Sequence, residues 1–557
     1  MKKTKNLIIM VVILVVLIAA YAFWRLSSGN GDTGNSNGTT TTLPSAIEHL
    51  TDLSEEDVEQ ITLSNSDDEL VLLSEMFEHT SETSETLANV TGAPDQTPSV
   101  TVEVNWSIYD PKYDNLSQRK IDSLVNSLLR ISVINEIPVD ENSNLSVYGI
   151  SDDSPKVEYV LNSGEVIEIL LGAEATASGN SHYYLYNVNN ERLGVSTSIG
   201  ETMLSTELDL LNDDIFTATI PEINGFLLKR DRDEQITLFS GEARYAGDGS
   251  YSSTDWTINE PISWAGNDAN VSTLIGEVLG ITANEFFAIT DETNLSSYGL
   301  EVPRYEITLQ HVEREPMTIL IGGEANQNTY AMLKDSSIFF NFPSAQLTNI
   351  GAAILDFYDP FVALIDIVDI NGVDFRTSEN EYISHVYYPT TEEINSAEDG
   401  GYVKPDSIFV FNGRDADVEN EQGANLFSRY YQALIGITIE GLEIDNSIEL
   451  IDPEYQIVYK MRTGEEDIVL DFVRRDDNSY YVFKDDVYLN LYVGADSFTS
   501  DSYARSPGTL YAIEQLIDEM NAQSTRDISE AEFEEMKQLK PIEEETGTST
   551  SDTSGDN

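Results

Sequence analysis

The chain has 557 residues, 40% of them hydrophobic, and carries 30 Lys and Arg against 98 Asp and Glu, a net charge of −68. That length suffices for about three or four domains, and so acidic a surface repels phosphate backbones, which excludes nucleic-acid binding. The absence of cysteine excludes disulfides, thiolate catalysis, thiolate metal sites and lipid attachment at a cleaved cysteine, and it points to a bacterial envelope rather than an animal secretory pathway.

Leu7 to Trp24 is an uncharged apolar run of 18 residues. As a helix it is about as long as a bilayer core of ~30 Å is thick. Lys2, Lys3 and Lys5 precede it and Arg25 follows, so the expected topology is a cytoplasmic N-terminus with the bulk of the chain outside. Beyond Arg25 the chain holds 26 Lys and Arg against 98 Asp and Glu, a net −72. Ala20-Tyr-Ala22 has the small-x-small form of a signal-peptide cleavage site, a competing reading. The length of the run and the interfacial Trp24-Arg25 favour an uncleaved anchor. Residues 1–25 are therefore assigned to the cytoplasmic lysines and a single-pass transmembrane anchor, and 26–45, rich in Gly, Ser, Thr and Asn, to a flexible linker.

The remainder is organised by a repeat. Trp106-Ser-Ile-Tyr-Asp-Pro111 returns as Trp256-Thr-Ile-Asn-Glu-Pro261, Leu145-Ser-Val-Tyr-Gly-Ile150 as Leu295-Ser-Ser-Tyr-Gly-Leu300, and Ile169-Leu-Leu-Gly-Ala-Glu174 as Ile319-Leu-Ile-Gly-Gly-Glu324, each 150 residues on. In the first copy Val58–Leu63 and Val100–Val104 alternate as strands, and Ser64–Ser99, rich in Ser, Thr and Glu, reads as a surface insertion. After Pro111 the stripe Ile121, Leu124, Val125, Leu128, Leu129 follows helical spacing; in the second copy it becomes Val271, Leu274, Ile275, Val278, Leu279. Both stripes are expected to be core faces, each burying on the order of 8–15 kcal/mol of apolar surface before entropy is charged against it.

Hairpins are expected around Asn162–Glu165 and His311–Arg314, and in a third region around Arg462–Glu465. The following strands open at Asn180, Asn328 and Asn478, the last two within N-[ST]-Y-x-x-x-K-D ending at Asp335 and Asp485. Glu222-Ile-Asn-Gly225 and Asp369-Ile-Asn-Gly372 align as module starts. The expected class is thus α+β: an N-terminal transmembrane helix followed by three tandem related modules of mostly antiparallel sheet plus helices, at 46–212, 213–366 and a degenerate 367–500. The third lacks the tryptophan motif, with Ile408-Phe-Val-Phe411 near its place and a helix at Leu426–Ile435. A closing helix, Thr509–Met520, falls within 501–523. Residues 524–557 read as an acidic, largely disordered tail, with one short helix capped by Ser529 and Glu532.

Residues capable of chemistry are scattered. His49, His79, His182, His311 and His385 show no metal-binding spacing, and no nucleophile elbow or phosphate loop occurs. Asp415-x-Asp417-x-Glu419 and Asp369-x-Asn371-Gly offer oxygens but lack the glycine and the closing glutamate of a calcium loop. They read as solvated loops. Glu174 and Glu324 lie in separate modules, unlike a glycosidase pair. Trp106 and Trp256 read as core anchors rather than sugar platforms, and Gly172 and Gly322-Gly323 as strand-ending turns. No catalytic, cofactor-binding or metal-binding residue is assigned, and no enzyme activity is expected.

The order W-x-I-x-x-P, apolar helix, L-S-x-Y-G-[IL], then I-x-[IL]-G resembles a bacterial family known as domain of unknown function 4340, over most of 46–500. The resemblance implies a membrane-anchored envelope protein, of a kind often encoded beside ABC transporters of the gliding-motility type, and supplies no catalytic residues. The expected function is a non-enzymatic, extracytoplasmic accessory or scaffold component of an ABC-type transport complex, with permease or ATPase subunits as partners. The alternative is an envelope module binding wall glycans or divalent cations.

Overall fold

The structure is a computed structural model that describes residues 48–538 apart from 50, 52, 66–67, 81–99, 134, 139–142, 176–181, 189, 197–198, 232–236, 401, 404, 446, 463, 465 and 502–506. The apolar run Leu7–Trp24, the linker and the end of the acidic tail lie outside the described residues. The expected fold class is corrected on one point of substance. Among the described residues no helix is long and apolar enough to cross a membrane. The 14-residue helix Thr509–Ala522 reaches only about 21 Å, short of a ~30 Å core. What the described chain forms is three large antiparallel sheets with helices laid on them.

The three sheets share one strand order. In the second it runs Trp264–Ala265, Tyr251–Glu260, Thr237–Tyr245, Ile223–Arg230, Tyr305–His311, Met317–Ala325, Asn328–Leu333, Ile338–Pro343, Glu285–Ala288. The strand that opens the repeat thus lies inside the sheet, pairs with the strand that follows the L-S-x-Y-G turn, and so joins two meanders. The first sheet places Val58–Ser64 against Lys156–Leu161, and the third places Ile370–Thr377 against Tyr455–Met461, in the same way. All three opening strands carry an irregularity in register at the same step, Val58/Gln60, Ile223/Gly225 and Ile370/Gly372. Such a bulge bends the strand and increases its twist.

One helix links the first meander of each repeat to the second: α1 (Gln118–Leu129), α2 (Asp268–Leu279) and α3 (Leu426–Ile435). The α1 stripe is buried at all five positions; in α2 Val271, Leu274, Ile275 and Val278 are buried and Leu279 only partly. Each helix closes one face of its sheet, meeting Tyr159 and Ile169 in the first core and Ile307 and Ile319 in the second. The opposite face carries a smaller cluster formed where the L-S-x-Y-G turn crosses it, around Ile150, Leu185 and Leu193 in the first repeat and Leu300, Met332 and Phe339 in the second.

Within the stretch 64–99, much of which reads as a surface insertion, composition misled at 69–80, while 81–99 lies outside the described residues. Glu69–Thr80 is a 12-residue strand of the first sheet, paired with Val100–Ile108, and Leu70 and Leu72 enter the core. Beyond Leu72 the strand leaves the core, with Glu75, Met76 and Phe77 exposed, so the alternation is diluted by Ser and Glu.

By contacts the chain divides into two compact units, Met1–Leu210 and Leu211–Asn557. The second and third sheets therefore belong to one unit, and the segment between them shows how. Asn267 N–H donates to Phe357 O at 2.7 Å, Asp359 N–H to Ala265 O at 2.9 Å, Val362 N–H to Ile437 O at 3.0 Å and Ile439 N–H to Pro360 O at 2.8 Å. Within the six residues 357–362 this strap bonds to the second repeat and then to the third. Trp264 packs against both cores, and its indole Nε1–H donates to Asp359 O at 2.9 Å. Helix α4 (Thr509–Ala522) lies against α3 and buries Ala512, Ile513, Leu516 and Met520. Beyond it, Arg414 bridges to Asp527 and the short helix Glu530–Met536 sets Phe533 on Tyr387, Ile408 and Val410. Ser529 caps that helix by accepting from Glu532 N–H.

Candidate functional site

The motif residues are framework. Trp106 and Trp256 are each 2% exposed. Trp256 N–H donates to Asp268 Oδ1 at 2.7 Å and its Nε1–H to Ser272 Oγ at 2.9 Å, tying the strand to α2. At Trp106 the indole nitrogen is buried without an acceptor, and Gln118 Nε2 donates instead to Trp106 O at 2.8 Å. Neither ring is available to stack on a sugar.

The paired glycines have a different cause from the one read in the sequence. Gly172 and Gly322 do not end their strands; each lies inside one. A Cβ on Gly172 would meet Tyr148 O at 2.5 Å, and one on Gly322 would meet Tyr298 O at 2.4 Å. In return Gly149 (φ 70°) and Gly299 (φ 68°) lie so close to residues 173 and 323 that a Cβ would reach their backbone nitrogens at 2.7 Å. The two motifs, about 22 residues apart in sequence, form a single contact of backbone on backbone. Glu174 and Glu324 follow on the same bulge, Glu324 bound by Arg304 at 2.7 Å.

The histidines remain apart. The side chains of His49 and His79 lie outside the described residues. His182 sets its ring against Gly200. His311 is buried at its hairpin, where Nδ1 accepts from Glu313 N–H at 3.0 Å and Arg314 N–H at 3.2 Å, leaving Nε2 4.0 Å from Glu222. The His385 ring lies 5.6 Å from that of Phe533. No group of three or more His, Cys, Asp or Glu able to hold a metal ion occurs among the described residues. In the Asp415–Glu419 loop Asp417 accepts from Asn425 Nδ2 at 2.8 Å, and Asp415 Oδ1 accepts from Asp417 N–H at 3.1 Å. Partial desolvation, then repulsion from Asp415 and Glu419, raises the Asp417 carboxyl above its usual value. In Asp369-x-Asn371-Gly, Asn371 Nδ2 donates to Met461 O at 3.2 Å, and a Cβ on Gly372 would meet Ser384 O at 2.2 Å.

What the sequence did not announce is a cleft of about 490 Å³ between the end of the strap and α3. Leu364, Ile365, Asp366 and Ile367 form one wall, Ser428, Tyr431, Gln432 and Ile435 of α3 the other, and Tyr388 closes one side. Tyr431 Oη donates to Ile365 O at 2.9 Å and fixes the wall to the helix. Burial, then the nearby carboxylates of Asp366 and Asp369, raise the Tyr431 phenol. Leu364 is 65% exposed at the edge of this cleft. A smaller hollow of about 280 Å³ lies beside Glu55, Glu56 and Arg130 in the first unit.

The fold and these contacts define a class: a tandem array of helix-backed antiparallel sheets whose repeated motifs serve packing. Residues 256–407 match the family described as Domain of unknown function (DUF4340), so the chain carries the domain of the family its motifs resemble. The match opens on Trp256 and ends just before the strand Ile408–Phe411, spanning the strap and the start of the third sheet. No curated protein and no solved structure matches the chain.

Proposed function

We propose that the protein is a non-enzymatic, extracytoplasmic scaffold, an accessory component of an ABC-type transport complex. The observation that carries the scaffold reading is the strap at residues 357–362, hydrogen-bonded to the second and third repeats, with Trp264 seated in both cores. A protein that presents surfaces at a set separation needs such a joint, because a free linker would let each repeat find its own orientation. The transporter half of the reading is supported by the family resemblance. The net charge of −68 suits a soluble extracytoplasmic arm that keeps clear of anionic headgroups. Affinity purification from native membranes tests it. Recovery of a permease or ATPase subunit is expected, and repeated recovery of this protein alone overturns the proposal.

A further inference from the structure

The cleft beside the strap supplies the partner chemistry, an inference that rests on the scaffold reading above. It has an apolar floor from Ile365, Ile367, Tyr431 and Ile435, an exposed apolar lip at Leu364, and Asp366 on its wall. Asp366 Oδ1 accepts from Val368 N–H at 3.2 Å, which fixes the carboxylate at the mouth, with Asp369 one turn further on. Arg462, which reaches this wall at Val368 O, is already engaged: its guanidinium donates to Glu393 at 2.6 Å and to the carbonyls of Val368 and Tyr388, above the Tyr387 ring. The wall carries the Asp366 carboxylate beside an apolar floor, with the Asp369 charge also close enough to act on Tyr431, and the volume falls within the ~300–1,000 Å³ of ligand-sized pockets.

We propose that this cleft receives a short peptide segment of a partner protein, an apolar anchor flanked by lysine or arginine. The apolar residue fills the space between Leu364 and Ile435, and the flanking cations face Asp366 and Asp369. Charge complementarity selects this occupant over a second copy of the chain, because two surfaces of this composition repel each other.

The test is titration calorimetry of the full chain with the peptide Lys-Lys-Leu-Phe-Leu-Lys-Lys. Two controls accompany it, one with Ser at the three central positions and one with Glu at the four flanks. Saturable binding of the first peptide alone is expected. It should weaken about tenfold or more in Leu364→Asp, which places a charge where the anchor sits. It should weaken about threefold in Asp366→Asn, which keeps the capping oxygen and removes the charge. Equal binding of the Ser peptide, or no effect of Leu364→Asp, reduces the result to general charge attraction and overturns the site. Equal binding of the Glu-flanked peptide overturns the charge selection. Self-association abolished by Leu364→Asp assigns the cleft to a second copy and overturns the peptide. Failure here is distinguishable from failure of the scaffold reading. If wild type and Leu364→Asp recover the same membrane partner, the scaffold stands and the cleft falls. If the peptide binds but no transporter subunit is recovered, the cleft stands and the transporter assignment falls.

Discussion

The second and third repeats solve one packing problem with different side chains. Where the second sets Trp256 between strand and helix, the third sets Phe409, stacked on Phe427 of α3 at 4.8 Å and 16°. The second leads into its helix through Trp264 and Asn267; the third does so through the acidic loop Asp415–Glu419 and closes its edge with the C-terminal segment at Asp527. Both helices keep an asparagine cap, Asn267 accepting from Asn270 N–H and Asn425 from Ser428 N–H. The strand order and the caps survive where the tryptophan does not. Topology here depends on which face is apolar and where each helix starts, and far less on the identity of the side chain that fills the middle.

The largest test of that statement is to empty both anchors. Trp256→Ala should cost about 3–5 kcal/mol, since a large buried ring and its hydrogen bond to Ser272 are lost, and Phe409→Ala should cost about as much. Urea denaturation of the two variants measures it; a near-neutral Phe409→Ala would mean that the third repeat has moved its anchor elsewhere. Next comes Trp264→Ala, expected to cost about 2–4 kcal/mol and to separate the shared transition of the second and third repeats into two. Calorimetry resolves this, and a single sharp transition in the variant would show that the hydrogen-bonded strap suffices. A smaller contrast lies in the opening glycines. A Cβ on Gly372 meets Ser384 O at 2.2 Å, whereas one on Gly225 meets Phe239 O at 2.9 Å. Gly372→Ala should therefore destabilise by about 1–3 kcal/mol and Gly225→Ala by less; the reverse order in denaturation midpoints breaks the equivalence drawn between the two starts.

The smallest effect is electrostatic and confined to the third repeat. The Asp417 carboxyl is raised in the folded protein, so the fold holds its proton more tightly than the unfolded chain does. Stability from this group is therefore lost as pH rises from the ordinary value of 3.8 through the raised one. Asp417→Asn should be slightly more stable than wild type at neutral pH and indistinguishable from it in acid. Thermal melts across that range check the sign.

The order of elements was legible because apolar periodicity survives in all three repeats. The helix Leu426–Ile435 forms where the sequence placed it, and Asp335 and Asp485, which end the shared N-[ST]-Y-x-x-x-K-D motif, both take positive φ. The strand Glu69–Thr80 was hidden because, among its described side chains, only Leu70 and Leu72 are deeply buried. The cleft was hidden for another reason. Its walls come from a strap and a helix more than sixty residues apart, and no local pattern announces that Tyr431 will bond to Ile365. The reading of Gly172 and Gly322 as turn glycines failed because the carbonyl that crowds them arrives from another part of the repeat.

That crowding carries an evolutionary corollary. The third repeat has Val473 where the others have Gly172 and Gly322, and it also lacks the Tyr-Gly step that would press on it. A side chain at either glycine alone is a collision; once both partners are gone, neither position is constrained. Descendants of the duplicated ancestor should then fall into two groups, those retaining both glycines and those retaining neither, with intermediates rare because each passes through a misfit that selection removes.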